Sequence, residues 1–211
     1  MKQICLFASD IAIITRHNKY EDISNIIYKI WNRNFKDDCQ HTHKIVGDKD
    51  LDITVSETFD ECINRVSKNN NLNLKSHLEK CLKTNDINKL IESQNNILSE
   101  CESLNINDLK QVKKSIMSKT NTNFGTKFES NSIDLYTNKT GNTVLKVENF
   151  FKKKIGNLND IDWYIGGKID GITEDKILIE VKNRTKRLFY SVRDYEKVQI
   201  LSYLKILNLK S

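Results

Sequence analysis

The chain has 211 residues, 29% of them charged and 38% hydrophobic, a length that allows one domain with a buried core or one domain with an insertion. Its N-terminal apolar run is too short for a signal peptide or a membrane anchor, which argues against a secreted protein and against contact with a membrane. The formal net charge of +6 lies entirely in the second half, because residues 1–118 hold 17 basic and 17 acidic side chains whereas residues 119–211 hold 17 and 11.

The basic excess of the second half predicts a polyanionic partner. The alternative is a solvated charge face with no binding role. The cations crowd together along one stretch of the chain: Lys182, Arg184, Lys186, Arg187, Arg193 and Lys197.

Five cysteines, an odd number in a chain without a signal sequence, predict reduced thiols in an intracellular compartment. The spacings of Cys39 with His41 and His43, and of His77 with Cys81, match no standard zinc site. We therefore expect isolated surface histidines and partly buried cysteines rather than a structural zinc ion.

Residues 1–35 are predicted to be helical and to belong to the core domain. Ser9 is placed to cap a first helix, and Asp10 is a favourable residue in its first turn. A second helix is expected from about Tyr20, because one apolar stripe contains Ile23, Ile26, Ile27, Ile30 and Trp31.

Residues 36–118 are predicted to form a helical insertion. The segment is rich in asparagine and carries apolar stripes at helical spacing, such as Leu74, Leu78 and Leu82. A packing or scaffold role is the simplest interpretation, and contact with a substrate or partner is the alternative.

Residues 119–211 are predicted to form the main α/β core, with a mixed central β-sheet flanked by helices. The expected elements are a helix over 125–136 that offers Glu129, a strand over 143–147, two paired strands over 163–172 and 176–182, and a helix over 190–207. A turn over residues 173–176 is expected to join the two paired strands into a hairpin.

The predicted strand pair carries the candidate chemistry. Asp170 lies at the end of one apolar run, and Glu180 and Lys182 lie on the next, where alternation predicts that they point to the same side. Two carboxylates and an ammonium group are suited to holding a divalent metal on a phosphodiester and to orienting a water molecule. The alternative is a solvent-facing hairpin with a structural ion pair.

Further short motifs stand in a fixed order along the chain, and together they suggest a family. They are Ser9-Asp10-Ile11 followed by Asn18 and Tyr20, then Gly125-Thr126 with Glu129, Gly167 with Asp170-Gly171, Glu180-Val181-Lys182, and Gln199 with Tyr203. In this order they resemble the YqaJ-like branch of the PD-(D/E)XK nuclease superfamily, the viral and phage recombination exonucleases related to lambda exonuclease. The resemblance covers about residues 2–32 and 120–208.

This resemblance implies a restriction-endonuclease-like core and a magnesium site, in which Mn²⁺ can substitute. It assigns Glu129, Asp170 and Glu180 as metal ligands, with the backbone carbonyl of Val181 as a further one. Lys182 would orient the attacking water or stabilise negative charge on the phosphate.

The same resemblance implies a set of DNA and phosphate contacts. Lys2 and Lys168 stand where lambda-type enzymes have an arginine and a serine that capture a 5′-phosphate, so end recognition stays open, and Lys19 replaces a frequent proline. The predicted contacts are Ser9, Lys2, Lys168, Arg184, Lys186, Gln199 and Tyr203.

The function implied is a Mg²⁺-dependent DNA exonuclease that digests linear duplex DNA from the 5′ end in viral recombination or repair. An endonuclease of the same superfamily and a catalytically silent nucleic-acid-binding module are the alternatives. Expected partners are double-stranded DNA, a single-strand annealing protein and further copies of the chain, in the cytoplasm or in a viral replication compartment. The chain ends just after the Gln199–Tyr203 helix, so we expect either a minimal member or a fragment.

Overall fold

The computed structural model describes residues 2–46, 59–185 and 187–210. These ranges form a mixed α/β structure of eight helices and six strands, which confirms the predicted class. The strands are β1 (Lys2–Phe7), β2 (Val144–Leu145), β3 (Phe151–Leu158), β4 (Ile161–Gly167), β5 (Gly171–Thr173) and β6 (Leu178–Ile179). The helices are α1 (Ala8–Ile14), α2 (Ile23–Asn34), α3 (Lys36–Val46), α4 (Phe59–Asn70), α5 (Leu74–Lys83), α6 (Ile87–Glu100), α7 (Ile106–Thr140) and α8 (Asp194–Leu207).

The chain divides into two compact units that alternate along the sequence. The first unit combines the described parts of Met1–Ser56, Thr140–Glu180 and Phe189–Ser211, and the second combines those of Glu57–Lys139 and Val181–Leu188. The boundary predicted at residue 118 falls inside α7, and α3 lies in the first unit although the sequence assigned it to the insertion.

The first unit contains a three-stranded sheet in the order β1-β4-β3. Strand β1 runs parallel to β4, with Lys2 opposite Ile161 and Phe7 opposite Gly166, whereas β3 is antiparallel to β4. The sequence analysis missed β1, because its partner strand lies far along the chain and leaves no local signal at residues 2–7.

A second sheet of the same unit has the order β2-β5-β6 and corrects the predicted strand pair. Strand β4 ends at Gly167, so only β5 and β6 form the hairpin, with Gly171 opposite Ile179. The predicted turn between them is confirmed, since Lys176 donates a backbone hydrogen bond to Thr173 at 2.9 Å. Because β6 ends at Ile179, the prediction that Glu180 and Lys182 share one face of a strand is wrong.

The start of α1 also differs from the prediction. The helix begins at Ala8, with Phe7 as its N-cap, and the carboxylate of Asp10 accepts a hydrogen bond from the Phe7 backbone N–H at 3.0 Å. Ser9 is therefore an exposed first-turn residue and not the cap. Asp10 is buried and is paired with Arg33 at 2.8 Å, so this acid fixes the helix start and joins it to α2.

The core of the first unit forms around α8, which packs on α1, β3 and β4. One cluster of buried apolar side chains there consists of Ala8, Ile169, Tyr203 and Ile206. The predicted helix over 190–207 is confirmed with a later start, because the Glu196 carboxylate accepts from the Arg193 backbone N–H at 3.2 Å and ends the preceding loop.

The second unit is built from α4, α5, α6 and α7, in agreement with the helices predicted for most of the middle segment. Its interior includes one polar link, in which the Gln94 side-chain amide donates to the Thr120 hydroxyl at 2.6 Å. The buried core of this unit consists of Cys62, Ile63, Val66, Leu74, Leu78, Cys81, Leu90, Ile97, Cys101, Leu104, Val112 and Ile116.

Within the described residues, no helix is both long enough and apolar enough to cross a membrane.

Candidate active site

The ends of the β5–β6 hairpin bring the two predicted acids together. Asp170 comes directly before β5, and Glu180 comes directly after β6. Because Gly171 and Ile179 are cross-strand partners in this antiparallel pair, the next residues outward are Asp170 and Glu180, at the same open end of the hairpin.

The charges of both carboxylates act on Tyr203 of α8. Burial raises the pKa of the Tyr203 hydroxyl, a hydrogen bond from Gln199 lowers it, and the negative charges of Glu180 and Asp170 raise it further. Such effects fall off with distance, so both acids lie near this one hydroxyl. One carboxylate oxygen of Glu180, Oε2, is also buried from solvent.

Two features hold Tyr203 in place. The Gln199 side-chain amide donates a hydrogen bond to its hydroxyl at 3.1 Å, which confirms the prediction that these residues share one face of the helix. The end of β4 supports the ring, since a Cβ atom on Gly167 would lie 2.6 Å from Tyr203 Cε1. Glycine at this position is therefore required for the ring to pack against the strand.

Asp170 and Glu180 supply two carboxylates, which are suitable ligands for a hard divalent cation. Magnesium in proteins is commonly bound by one or two carboxylates together with water and substrate phosphates. Among the described residues, no group of three histidine, cysteine, aspartate or glutamate side chains is arranged to hold a metal ion.

The remaining predicted ligands and the predicted catalytic lysine lie in the second unit. Glu129 is a partly buried residue of α7, and Val181 and Lys182 open the Val181–Leu188 segment of that unit. Lys182 follows Glu180 by two residues in the chain and is exposed. The roles of these three residues stay predictions.

The predicted phosphate contacts are spread over both units. Ser9, Lys2 and Lys168 are exposed residues of the first unit, on α1, on β1 and between β4 and β5. Arg184 lies in the second unit, and Lys186 lies outside the described residues. Accessible cations and hydroxyls are compatible with phosphate binding, which stays a prediction for all five.

The segment Val181–Leu188 is attached to α7 by side chains that the sequence analysis missed. Asn183 donates to the backbone carbonyl of Gly125 at 2.9 Å and accepts from the Ser132 hydroxyl at 2.7 Å. Thr185 donates to the side-chain oxygen of Asn121 at 3.2 Å. No sequence signal identified these partners, because polar residues in an Asn-rich chain carry no periodic pattern.

A cavity of about 330 Å³ lies between α7 and this segment, wholly inside the second unit. Lys182 and Arg184 contribute basic side chains to its lining, and Phe124 and Phe128 contribute aromatic rings. The four-residue spacing of the phenylalanines on one helix was the signal that could have revealed this surface.

Comparisons of the chain with family models, with curated proteins and with solved structures found no match. The resemblance to the YqaJ-like nucleases therefore depends on the order of the motifs quoted above.

Proposed function

We propose that this chain is a Mg²⁺-dependent deoxyribonuclease with a restriction-endonuclease-like core. The observation that carries the proposal is the position of Asp170 and Glu180 at the same open end of one hairpin, with both charges acting on Tyr203. These are the two acids that the motif order assigns to the metal. Two converging carboxylates beside a buried, neutral tyrosine are also more typical of a functional site than of a solvated hairpin edge.

In this proposal Asp170 and Glu180 hold the divalent ion by their carboxylate oxygens. The ion, when bound, would neutralise charge on the scissile phosphate and lower the pKa of a bound water molecule. Tyr203 is protonated at neutral pH, which lies well below even the ordinary tyrosine pKa of 10.0, and so it adds no negative charge beside the acids. Gln199 fixes the direction of that hydroxyl by its hydrogen bond.

Lys182 is proposed as the cation that orients the attacking water or stabilises charge on the phosphate, as the resemblance implies. It can serve this role because an ammonium group is a compact charge with three donors. The basic excess of residues 119–211 supports DNA as the polyanion. Following the resemblance, we propose duplex DNA digested from a 5′ end as the substrate and reaction.

The test is incubation of the purified protein with linear and with covalently closed circular duplex DNA, each with Mg²⁺ and with EDTA. We expect Mg²⁺-dependent loss of the linear form alone, with a 5′-terminal label released before a 3′-terminal label. Nicking of the circle would instead indicate an endonuclease. No cleavage of either form, with DNA binding retained, would contradict the nuclease proposal and support a binding module.

Protein variants tested in the same assay locate the site. We expect Glu180→Gln and Lys182→Ala to lower the cleavage rate by at least about a hundredfold, the scale on which removal of one stabilising group lowers kcat. Asp175→Asn is the matched control, because Asp175 is an exposed acid in the turn of the same hairpin and should leave the rate unchanged. Full activity in Glu180→Gln would place the chemistry elsewhere.

A further inference from the structure

The cavity between α7 and the Val181–Leu188 segment, termed here the α7 groove, has the volume of a ligand site. Its volume of about 330 Å³ lies within the range of small-molecule pockets, about 300–1,000 Å³. All of its lining residues belong to the second unit. The two acids of the hairpin, Asp170 and Glu180, are not among them.

Aromatic side chains form one part of the groove. The rings of Phe124 and Phe128 have centroids 4.5 Å apart and are tilted by 38°, and both side chains are only partly buried. Leu135 and Leu188 add exposed apolar surface, with 55% and 79% of their area accessible. A surface of this kind favours a flat, apolar ligand such as an unstacked base.

Positive charge and amide groups form the other part. Lys182 and Arg184 lie in the lining, as do Asn131 and Asn183, and none of the described lining residues is acidic. This composition favours an anion beside the flat group and disfavours a cationic or purely hydrocarbon ligand. A base with its adjoining phosphate has both properties in one molecule.

The groove is also preformed. Its second wall has no regular secondary structure at residues 182–184, yet Asn183 binds to two positions on α7, Gly125 and Ser132. Thr185 adds a third link to the same helix, at Asn121. A wall fixed in this way would not have to be ordered when a ligand binds, which lowers the entropic cost of binding.

We propose that the α7 groove binds an unstacked base of single-stranded DNA, with the base against Phe128 and the adjoining phosphate beside Lys182 and Arg184. The choice of DNA rests on the proposed function. The groove includes Lys182, the lysine of the proposed active site, whereas Asp170 and Glu180 are not in its lining. A nuclease with such a groove would hold the single strand that remains or is released as a duplex is digested.

The experiment measures binding of a fluorescent dT12 oligonucleotide by anisotropy in EDTA, where cleavage does not contribute. A 12-mer of abasic sugar phosphates serves as the probe for backbone binding alone. We expect the full chain to bind dT12 more tightly than the abasic oligomer, and Phe128→Leu to weaken dT12 binding about tenfold, because base stacking on an aromatic ring is lost. Binding of the abasic oligomer should be unchanged in this variant, which also shows that it is folded.

A charge-matched pair gives a second readout. Asn131→Asp places an anion in the lining and should weaken dT12 binding several-fold, whereas Asn138→Asp, at an exposed position of the same helix outside the lining, should leave it unchanged. Equal affinity of Phe128→Leu and the unaltered chain for dT12, or equal effects of the two aspartate substitutions, would overturn the proposal. Phe128→Leu should leave Mg²⁺-dependent cleavage of linear duplex in place, and absence of cleavage would leave these affinities in place, so the two proposals fail separately.

Discussion

Tyr203 is the side chain on which the candidate site converges. Its ring packs on Gly167, its hydroxyl accepts from Gln199, and its pKa responds to Glu180 and Asp170. The spacing of Gln199 and Tyr203 could be predicted because a helix has a fixed period. The nearness of the tyrosine to both acids could not be predicted, because it depends on how α8 packs on the strands.

The raised pKa of Tyr203 predicts a specific loss of stability in alkali. The hydroxyl keeps its proton in the folded chain above pH 10.0, its ordinary pKa, while the unfolded chain loses it. The folded state then binds more protons than the unfolded state, so stability falls as pH rises through this range. Tyr203→Phe should remove this part of the fall, although at pH 9 it should cost about 1 kcal/mol for the lost hydrogen bond.

Urea unfolding of both proteins between pH 9 and pH 11 checks this prediction. The difference in the free energy of unfolding between the chain and Tyr203→Phe should shrink as pH rises. A constant difference across this range would show that the tyrosine titrates normally and that the acids are remote from it.

At the scale of elements, patterns that are short in sequence predicted secondary structure, whereas strand pairings between distant parts of the chain left no sequence signal. Helical stripes predicted most helices, and the turn residues predicted the β5–β6 hairpin, because both signals are short in sequence. Strand β1 was missed because it pairs with β4 across most of the chain. The site depends on this short-range signal, since the β5–β6 hairpin places Asp170 and Glu180 at the same open end.

The attachment of the Val181–Leu188 segment to α7 yields a prediction at this scale. Asn183→Ala removes two hydrogen bonds, to Gly125 and from Ser132, and leaves a partly buried carbonyl and hydroxyl without them. We expect the free energy of unfolding of the second unit to fall by about 1–3 kcal/mol. Far-UV circular dichroism during urea denaturation measures this loss, because the second unit is largely helical.

Asn138→Ala is the matched control for this experiment. Asn138 is exposed on the same helix, and alanine is the better helix former, so stability should stay constant or rise slightly. If Asn183→Ala proved as stable as this control, the segment would not be held to α7 by the asparagine.

At the scale of the whole molecule, the predicted site residues belong to two units that interleave along the sequence. Asp170, Glu180, Gln199 and Tyr203 belong to the first unit, and Lys182 belongs to the second. The predicted order of helices and strands indicated the α/β class, and the distribution of charged residues indicated the basic half of the chain. Neither could predict the interleaving, because the second unit is completed by only eight residues, Val181–Leu188, most of which carry no helical or strand pattern.

The central claim is that Asp170 and Glu180 together bind the divalent ion that cleavage requires. Electron paramagnetic resonance of Mn²⁺ titrated into the DNA-free protein measures this binding directly, since free and bound Mn²⁺ give different signals. We predict that the unaltered chain and Asp175→Asn bind Mn²⁺ alike, and that Asp170→Asn and Glu180→Gln each weaken binding by more than about tenfold. Equal Mn²⁺ binding by Glu180→Gln and Asp175→Asn would contradict the account.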